Sequence, residues 1–480
     1  MKFWTGFLAV LIFYSCNFSE KEVSKTYFGG QIINPKTDYV LFYQLLNSNY
    51  KVKDTFRLDA NNKFFHTFEN LPPGLYSFDH GNEFQNVYLD PNDSIWFRLN
   101  TNDFDESLVF SGNGSKKNNY LLKLYLDHEN MLRSLRQSSK MEPEDYLRFI
   151  DSIRKEEIED LKSFVTDKPQ TEGFYEIAKA NIDFSFYKHK EYYPFGHYGS
   201  RALTHYQDLP SDFYAYRDSI NFNDEKLSEV RYYLSYLEDY FMNASLEEIY
   251  QNEHNHIVFD QKSLSYNLRQ LELIDSIIDH KNIKNYILQK KAVDYIRNVD
   301  DDLKNISIAN KYFALSSEDQ TVKDLVKQLV NAKAALKPGN LLPNVELYNL
   351  NGDSVNLHDL TRDKITLIYF WYVDFKSQGI GNHDKASEIK EQYPGLNIVS
   401  IDYSREPLNH WQSQMKNWPI KHLTEMKFKD PIKGNLTLDA GLNKIILVNK
   451  KGKILNSNLR LYSKELATVL ERLTKLTKIN

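Results

Sequence analysis

A chain of 480 residues, at roughly 150 residues per domain, is long enough for about three domains. Its hydrophobic share of 41% supports real cores, and a net charge of −5 excludes the basic face that nucleic-acid binding needs. The 33 Tyr and 29 Phe, against only 18 Gly, point to aromatic-rich packing or amphipathic contact surfaces.

The N-terminus reads as an export signal. Met1-Lys2 supplies a positive end and Phe3–Tyr14 an apolar run too short to span a bilayer as a helix. Phe13-Tyr14-Ser15-Cys16 then resembles a bacterial lipobox of the kind Bacteroidota lipoproteins carry. That resemblance implies a signal peptide over 1–15, lipidation at Cys16 and a polar tether over 16–25, with the chain held at the outer membrane by its lipid anchor. The stretch Asn17–Glu22 resembles an export signal to the outer surface and would equally make a solvated tether, so the leaflet stays open. An ordinary secreted protein with a fortuitous Ser-Cys is the alternative. Cys16 is the chain's only cysteine, so a lipidated mature protein would hold no thiol.

Over 26–115, short runs with β-branched or aromatic residues at alternate positions are broken by turn signals. Tyr39–Gln44, Val52–Leu58, Lys63–Phe68, Leu75–Phe78, Asn86–Leu89 and Ser94–Leu99 are the expected strands. Their spacing predicts a small antiparallel β-sandwich. Over 116–336 the period turns helical: Leu227, Val230, Leu234, Leu237 and Phe241 form one stripe, and Pro143 between Glu142 and Glu144 fits a first helical turn. An irregular all-helical domain is expected. Within it the aromatic stretch 184–216 reads as an ordered loop, with a ligand-facing role for Tyr192, Tyr193, His197 and Tyr198 as the alternative.

Lys337-Pro338-Gly339 punctuates the chain, and an α/β pattern fills 337–480. Leu342–Asn349 with Val355–Leu357 reads as a hairpin, Ile365–Trp371 and Leu396–Tyr403 as buried strands, and Lys385–Tyr393 and Glu406–Trp418 as helices. Lys444–Asn449 with Lys453–Ser457 makes a second hairpin, and Ser463–Leu476 a closing helix. The polar turn after Trp371 lies where an α/β sheet places its chemistry.

LPNVELYNLNGDSVNLHDLTRDKITLIYFWYVDF, followed by NIVSIDYS and KIILVNKKGKIL, resembles a TlpA/ResA-type thioredoxin-like domain. DTFRLDANNKFFHTFENLPPGLYSF and VYLDPNDSIWFRL are similar to the N-terminal β-domain of Bacteroidota lipoproteins of that type. Together these imply a multidomain α+β chain, with a β-sandwich, a helical domain and a thioredoxin-like α/β domain in that order. The family's catalysis uses a Trp-Cys-x-x-Cys turn at a helix N-terminus, where one cysteine attacks as a thiolate and the other resolves the mixed disulfide. Laid on FWYVDFKSQ, that motif puts Asp374 at the tryptophan and Phe375 at the first cysteine. Lys376 and Ser377 fall between, and Gln378 takes the second cysteine's place. The family's cis-proline falls on Asn443. These departures predict no dithiol catalysis, no catalytic residue and no cofactor. The expected role is a binding or scaffold subunit for a protein partner at the outer membrane, with a β-barrel complex as one such partner. A thiol–disulfide oxidoreductase of the cell envelope and a glycan or peptide binder using the helical domain are the alternatives.

Three further patterns are weighed against plain surface chemistry. Asp374, His383, Asp384 and Asp402 fall near strand ends and could form an acid–base pair or metal site, but solvated loop residues are expected. His254-Asn255-His256 beside Glu253 is expected to be surface and not a metal site. Asp-Ser-Ile recurs at Asp93, Asp151, Asp218 and Asp275, with Asp353-Ser354-Val355 similar, and resembles the Bacteroidota O-glycosylation sequon.

Overall fold

The computed structural model describes residues 23–44, 51–81, 83–252, 259–316, 320–373, 375–416, 418 and 423–477. Among the described residues eight strands come first: β1 (Lys25–Ile33), β2 (Tyr39–Gln44), β3 (Lys51–Arg57), β4 (Lys63–Glu69), β5 (Gly74–His80), β6 (Glu83–Leu89), β7 (Ser94–Asn100) and β8 (Val109–Asn113), with the short helix α1 (Phe104–Ser107) before the last. They form two four-stranded sheets, β4-β1-β7-β8 and β3-β2-β5-β6. Phe28 explains where many of the phenylalanines go. Its ring lies 5.4–6.5 Å from those of Phe42, Phe56, Phe64, Phe78 and Phe97, which come from both sheets. Each such pair adds about 0.5–1.5 kcal/mol beyond its buried area.

Two expectations change here. Strand β1, which is not among the expected strands, begins inside the expected tether and carries Gly29-Gly30. The glycines are there because the Phe97 ring lies where a Gly30 side chain would begin, 2.7 Å from its Cβ position. The sheets are also not wholly antiparallel, since β1 runs parallel to β7.

Among the described residues eight α-helices follow: α2 (Ser115–Ser138), α3 (Pro143–Asp167), α4 (Glu172–Tyr198), α5 (Arg231–Asn252), α6 (Leu264–Ile277), α7 (Lys281–Asn298), α8 (Asp302–Leu315) and α9 (Gln320–Ala335). Pro143 sits in the first turn of α3, as its flanking acids suggest. Much of the expected loop 184–216 is helix: α4 runs to Tyr198 through Pro194, and short 3₁₀ turns continue to Ser219. From Ile182 to Tyr187 the helix is buried on every side, so it shows no one-faced apolar stripe. Leu75 and Tyr88 of the β-sheets join the helical core, so the two regions share packing.

The last region holds β9 (Glu346–Tyr348), β10 (Ser354–Asn356), α10 (Leu357–Thr361), β11 (Thr366–Trp371), α11 (Lys376–Gln392), β12 (Asn397–Asp402), α12 (Leu408–Met415), β13 (Thr424–Phe428), α13 (Pro431–Leu438), β14 (Lys444–Val448), β15 (Ile454–Arg460) and α14 (Lys464–Thr477). One seven-stranded sheet runs β10-β9-β13-β12-β11-β14-β15. Strands β11, β12 and β13 are parallel, β14 is antiparallel to β11, and β15 to β14. A parallel pair joined by a helix, then an antiparallel hairpin and a closing helix, is the arrangement the thioredoxin-like resemblance implies. Helices α11, α12 and α14 cover the face carrying Tyr369 and Trp371, while α10 and α13 cover the face carrying Ile368 and Phe370. Strand β13 and helix α13 were not expected. Helix α11 also begins at Lys376, not Lys385, because packing overrides the weak propensity of Gly379, Gly381 and Asn382. Among the described residues no helix is long and apolar enough to cross a membrane.

Candidate functional site

The C-terminal end of β11 delivers the chain through Tyr372 and Val373 to the first turn of α11. Phe375 is the residue that caps this helix, and its side chain accepts no capping hydrogen bond. It is 54% exposed, an unusual state for a phenylalanine, and its ring lies 5.0 Å from that of Tyr372. Ser377 is exposed and Gln378 half-buried. Lys376 opens the helix, and Asp374 lies outside the described residues, as do Cys16, Glu253, His254 and His256. Asn443 immediately precedes β14. Extending the β11–β14 register by two residues places it across from Trp371, at the same end of the sheet as the turn. Its backbone is left-handed (φ 62°), and among the described residues no peptide bond is cis. The sheet therefore brings Phe375, Gln378 and Asn443 to one end, with no thiol at any of the three positions.

Behind the turn lies a buried polar layer that was not anticipated. Strand β13 alternates Glu425 and Lys427, facing α11 and α12, with Met426 and Phe428 in the opposite core. Lys427 Nζ donates to Asp402 Oδ2 at 2.7 Å and to the Ser404 hydroxyl and carbonyl, both at 2.9 Å. Asp402 also accepts from the Ser404 hydroxyl at 2.6 Å and from the Val373 amide at 3.1 Å. It thus ties the start of the turn to the end of β12. His383, on α11, sets Nε2 3.2 Å from Glu425 Oε2 and Nδ1 2.7 Å from the Gly379 carbonyl. Trp371, Trp418 and Tyr369 surround its ring at 4.7, 5.2 and 5.8 Å. Burial works to lower the His383 pKa, but the Glu425 carboxylate and the Gly379 carbonyl outweigh it and hold the imidazole above its ordinary value.

His383 and Asp402 are therefore not solvated loop residues; each is fully buried with a partner from β13, whereas Asp384 is exposed as expected. They do not act together, because Glu425 takes one and Lys427 the other. Among the described residues no group of three His, Cys, Asp or Glu side chains is placed to hold a metal ion. Sequence reasoning missed Glu425 and Lys427 because charged residues on a buried face look like a solvated strand or loop. The alternation in Thr424–Phe428 was the available signal.

The turn looks onto the β-sheets. A cavity of about 460 Å³ separates Tyr372, Tyr403 and Arg405 from Tyr39, Tyr43 and Phe84. Tyr372 and Tyr403 meet edge-on at 5.4 Å and form its floor on the sheet side. Tyr192 of the aromatic stretch is exposed, whereas Tyr193 is buried, stacks on Tyr146 at 4.2 Å and donates to the Met141 carbonyl. His197 and Tyr198 pack edge-on against each other at 4.5 Å, so this stretch is largely packing. The serines of all five Asp-Ser triplets, Ser94, Ser152, Ser219, Ser276 and Ser354, are exposed.

No protein-family model and no curated protein matches the chain. Among solved structures it is similar to a thioredoxin-like protein from Bacteroides caccae, with 16% identity over 59% of this chain and 93% of that one, at a TM-score of 0.31. It is also similar to the thioredoxin domain of a thiol-disulfide oxidoreductase from Bacteroides vulgatus, with 22% identity over 29% of this chain and 98% of that one, at 0.24. A thioredoxin-like protein from Aeropyrum pernix is similar at 13% identity over 27% of this chain and 89% of that one, at 0.23.

Proposed function

We propose that this chain is a redox-inactive binding subunit, anchored at the outer membrane through Cys16, that engages a protein partner at the cleft between the α11 turn and the β-sheets. One observation carries the reading: the two positions where dithiol chemistry would sit hold Phe375 and Gln378, and Phe375 is 54% exposed. A thiolate attacks disulfides; a phenyl ring and an amide do neither attack nor resolution. An exposed aromatic beside a tyrosine-lined cleft is instead what recognition surfaces use, because large rigid rings supply contact area at low entropy cost. The ion pairs behind the turn support it as a fixed platform, since Asp402 holds both the Val373 amide and Lys427. An outer-membrane β-barrel complex is the partner class that the anchor would bring within reach.

The experiment replaces Phe375 with a photo-crosslinking phenylalanine derivative in cells and identifies what is captured from solubilised membranes. A discrete crosslinked species that disappears when the same group is placed at Asp384, on the helix but away from the cleft, supports the reading. Capture of nothing, with the chain running as a monomer in native gels, overturns it. Insulin reduction by a Cys16→Ser variant would overturn the redox-inactive half independently.

A further inference from the structure

A second cavity, of about 280 Å³, lies where β6 meets α2, α3, α4 and α5. Four charged residues line it, each from a different helix: Glu129 on α2, Glu157 on α3, Lys188 on α4 and Arg231 on α5. Glu129 and Arg231 are exposed at its mouth, and Glu157 and Lys188 are half-buried within. Among the described residues these four make no ion pair with one another. The opposite charges that act on the two half-buried groups, Lys123 on Glu157 and Asp239 with Glu238 on Lys188, do not line the cavity, so Glu157 and Lys188 are the charges a ligand inside it meets. Burial, then the Asp127 carboxylate, pushes Glu157 up to about 7 against the opposing pull of Lys123. His128, buried in the same wall, is pushed down to about 4 by burial and by Lys188, so it stands there as a neutral hydrogen-bonding group. The remaining wall is apolar, from Leu121, Leu124, Leu132 and Ile182.

We propose that this cavity binds a small zwitterion of the amino-acid class, a free amino acid with an apolar side chain or a short dipeptide. Its ammonium lies between Glu129 and Glu157, its carboxylate meets Lys188 and Arg231, and its side chain packs on the leucine wall. Two features select this class. The carboxylates and the cations come from different helices, so a ligand bearing both charges at its two ends satisfies all four at once. The volume lies just below the ~300–1,000 Å³ of sites for drug-sized ligands, which leaves no room for an oligosaccharide or a long peptide. The site shares Phe84 with the cleft under the turn but none of its charged residues, and it stands whether or not that cleft binds a partner.

The test is isothermal titration of the purified chain with L-leucine and glycyl-L-leucine, alongside two probes of similar shape with a single charge, 3-methylbutylamine and 4-methylpentanoate. The expected result is saturable binding of at least one zwitterion, with both single-charge probes roughly tenfold or more weaker. Which zwitterion binds distinguishes a free amino acid from a dipeptide. Glu157→Gln and Arg231→Gln should each weaken binding about tenfold with the thermal unfolding transition unchanged, and Arg231, at the mouth, carries the test if Glu157→Gln fails to fold. Absence of binding by both zwitterions at about 10 mM overturns the proposal. So does single-charge binding as tight as that of the zwitterion, or wild-type affinity in both folded variants.

Discussion

Two buried ionic assemblies in this molecule are built differently. In the helical region Glu191 of α4 is fully buried and fully engaged. Arg217, from the connector before α5, grips it with two nitrogens at 2.9 and 2.5 Å, and Tyr216 and Asn243 each donate to it at 2.7 Å. Arg217 also reaches Glu247 at 3.0 Å and lies 3.8 Å above the Tyr214 ring. Under the turn of the C-terminal sheet the charges pair one to one, and polar atoms are left over: Glu425 Oε1, Trp371 Nε1 and Trp418 Nε1 have no hydrogen-bond partner among the described residues. The first assembly is a staple that holds a connector to two helices. The second is a set of separate pairs beneath a surface; both leave buried polar atoms over, Asn243 Oδ1 and the Tyr214 hydroxyl in the first, so they differ in connectivity and not in saturation.

On that contrast Arg217→Met has the largest effect. It strands a buried carboxylate and should lower stability by about 3–5 kcal/mol, read as a shift of the urea midpoint without a change in slope. Lys427→Met comes next, at about 3 kcal/mol, the low end of that range, because Asp402 keeps the Ser404 hydroxyl and the Val373 amide. An equal or larger loss than for Arg217→Met would erase the distinction. The His383–Glu425 pair gives a smaller, pH-dependent term. Folded His383 holds its proton more tightly than an unfolded histidine at about 6.5, so its contribution is complete below that pH and is lost as pH rises through the raised folded value. The stability gap between the wild type and His383→Gln, followed by thermal melts, should accordingly narrow as pH climbs above 6.5. A gap that widens instead would mean the imidazole is neutral in the fold. Phe375→Ala is the smallest perturbation: within about 0.5 kcal/mol in stability, yet with loss of partner capture, which separates surface from platform.

The C-terminal architecture was largely readable because the central buried strand Thr366–Trp371 is a nearly continuous apolar run, and hairpins announce their turns. The candidate site was readable only in part. Phe375, Gln378 and Asn443 could be laid on a motif, but the layer that supports them could not, since Glu425 and Lys427 look like solvent-facing charges until their partners are known. Ile182–Tyr187 was opaque for the complementary reason: a helix buried all round carries no stripe.

By itself the amino-acid sequence determined that the turn after Trp371 has no thiol, because cysteine chemistry needs cysteine and the only one is Cys16. It determined the order of β, helical and α/β regions as well, because periodicity is a local property of the chain. Tertiary structure decided what each polar residue is for. His383 and Asp402 became buried pairs, and Glu129, Glu157, Lys188 and Arg231 became one cavity, because a charge's role depends on which distant residue lies within a few ångströms of it, and no local pattern records that.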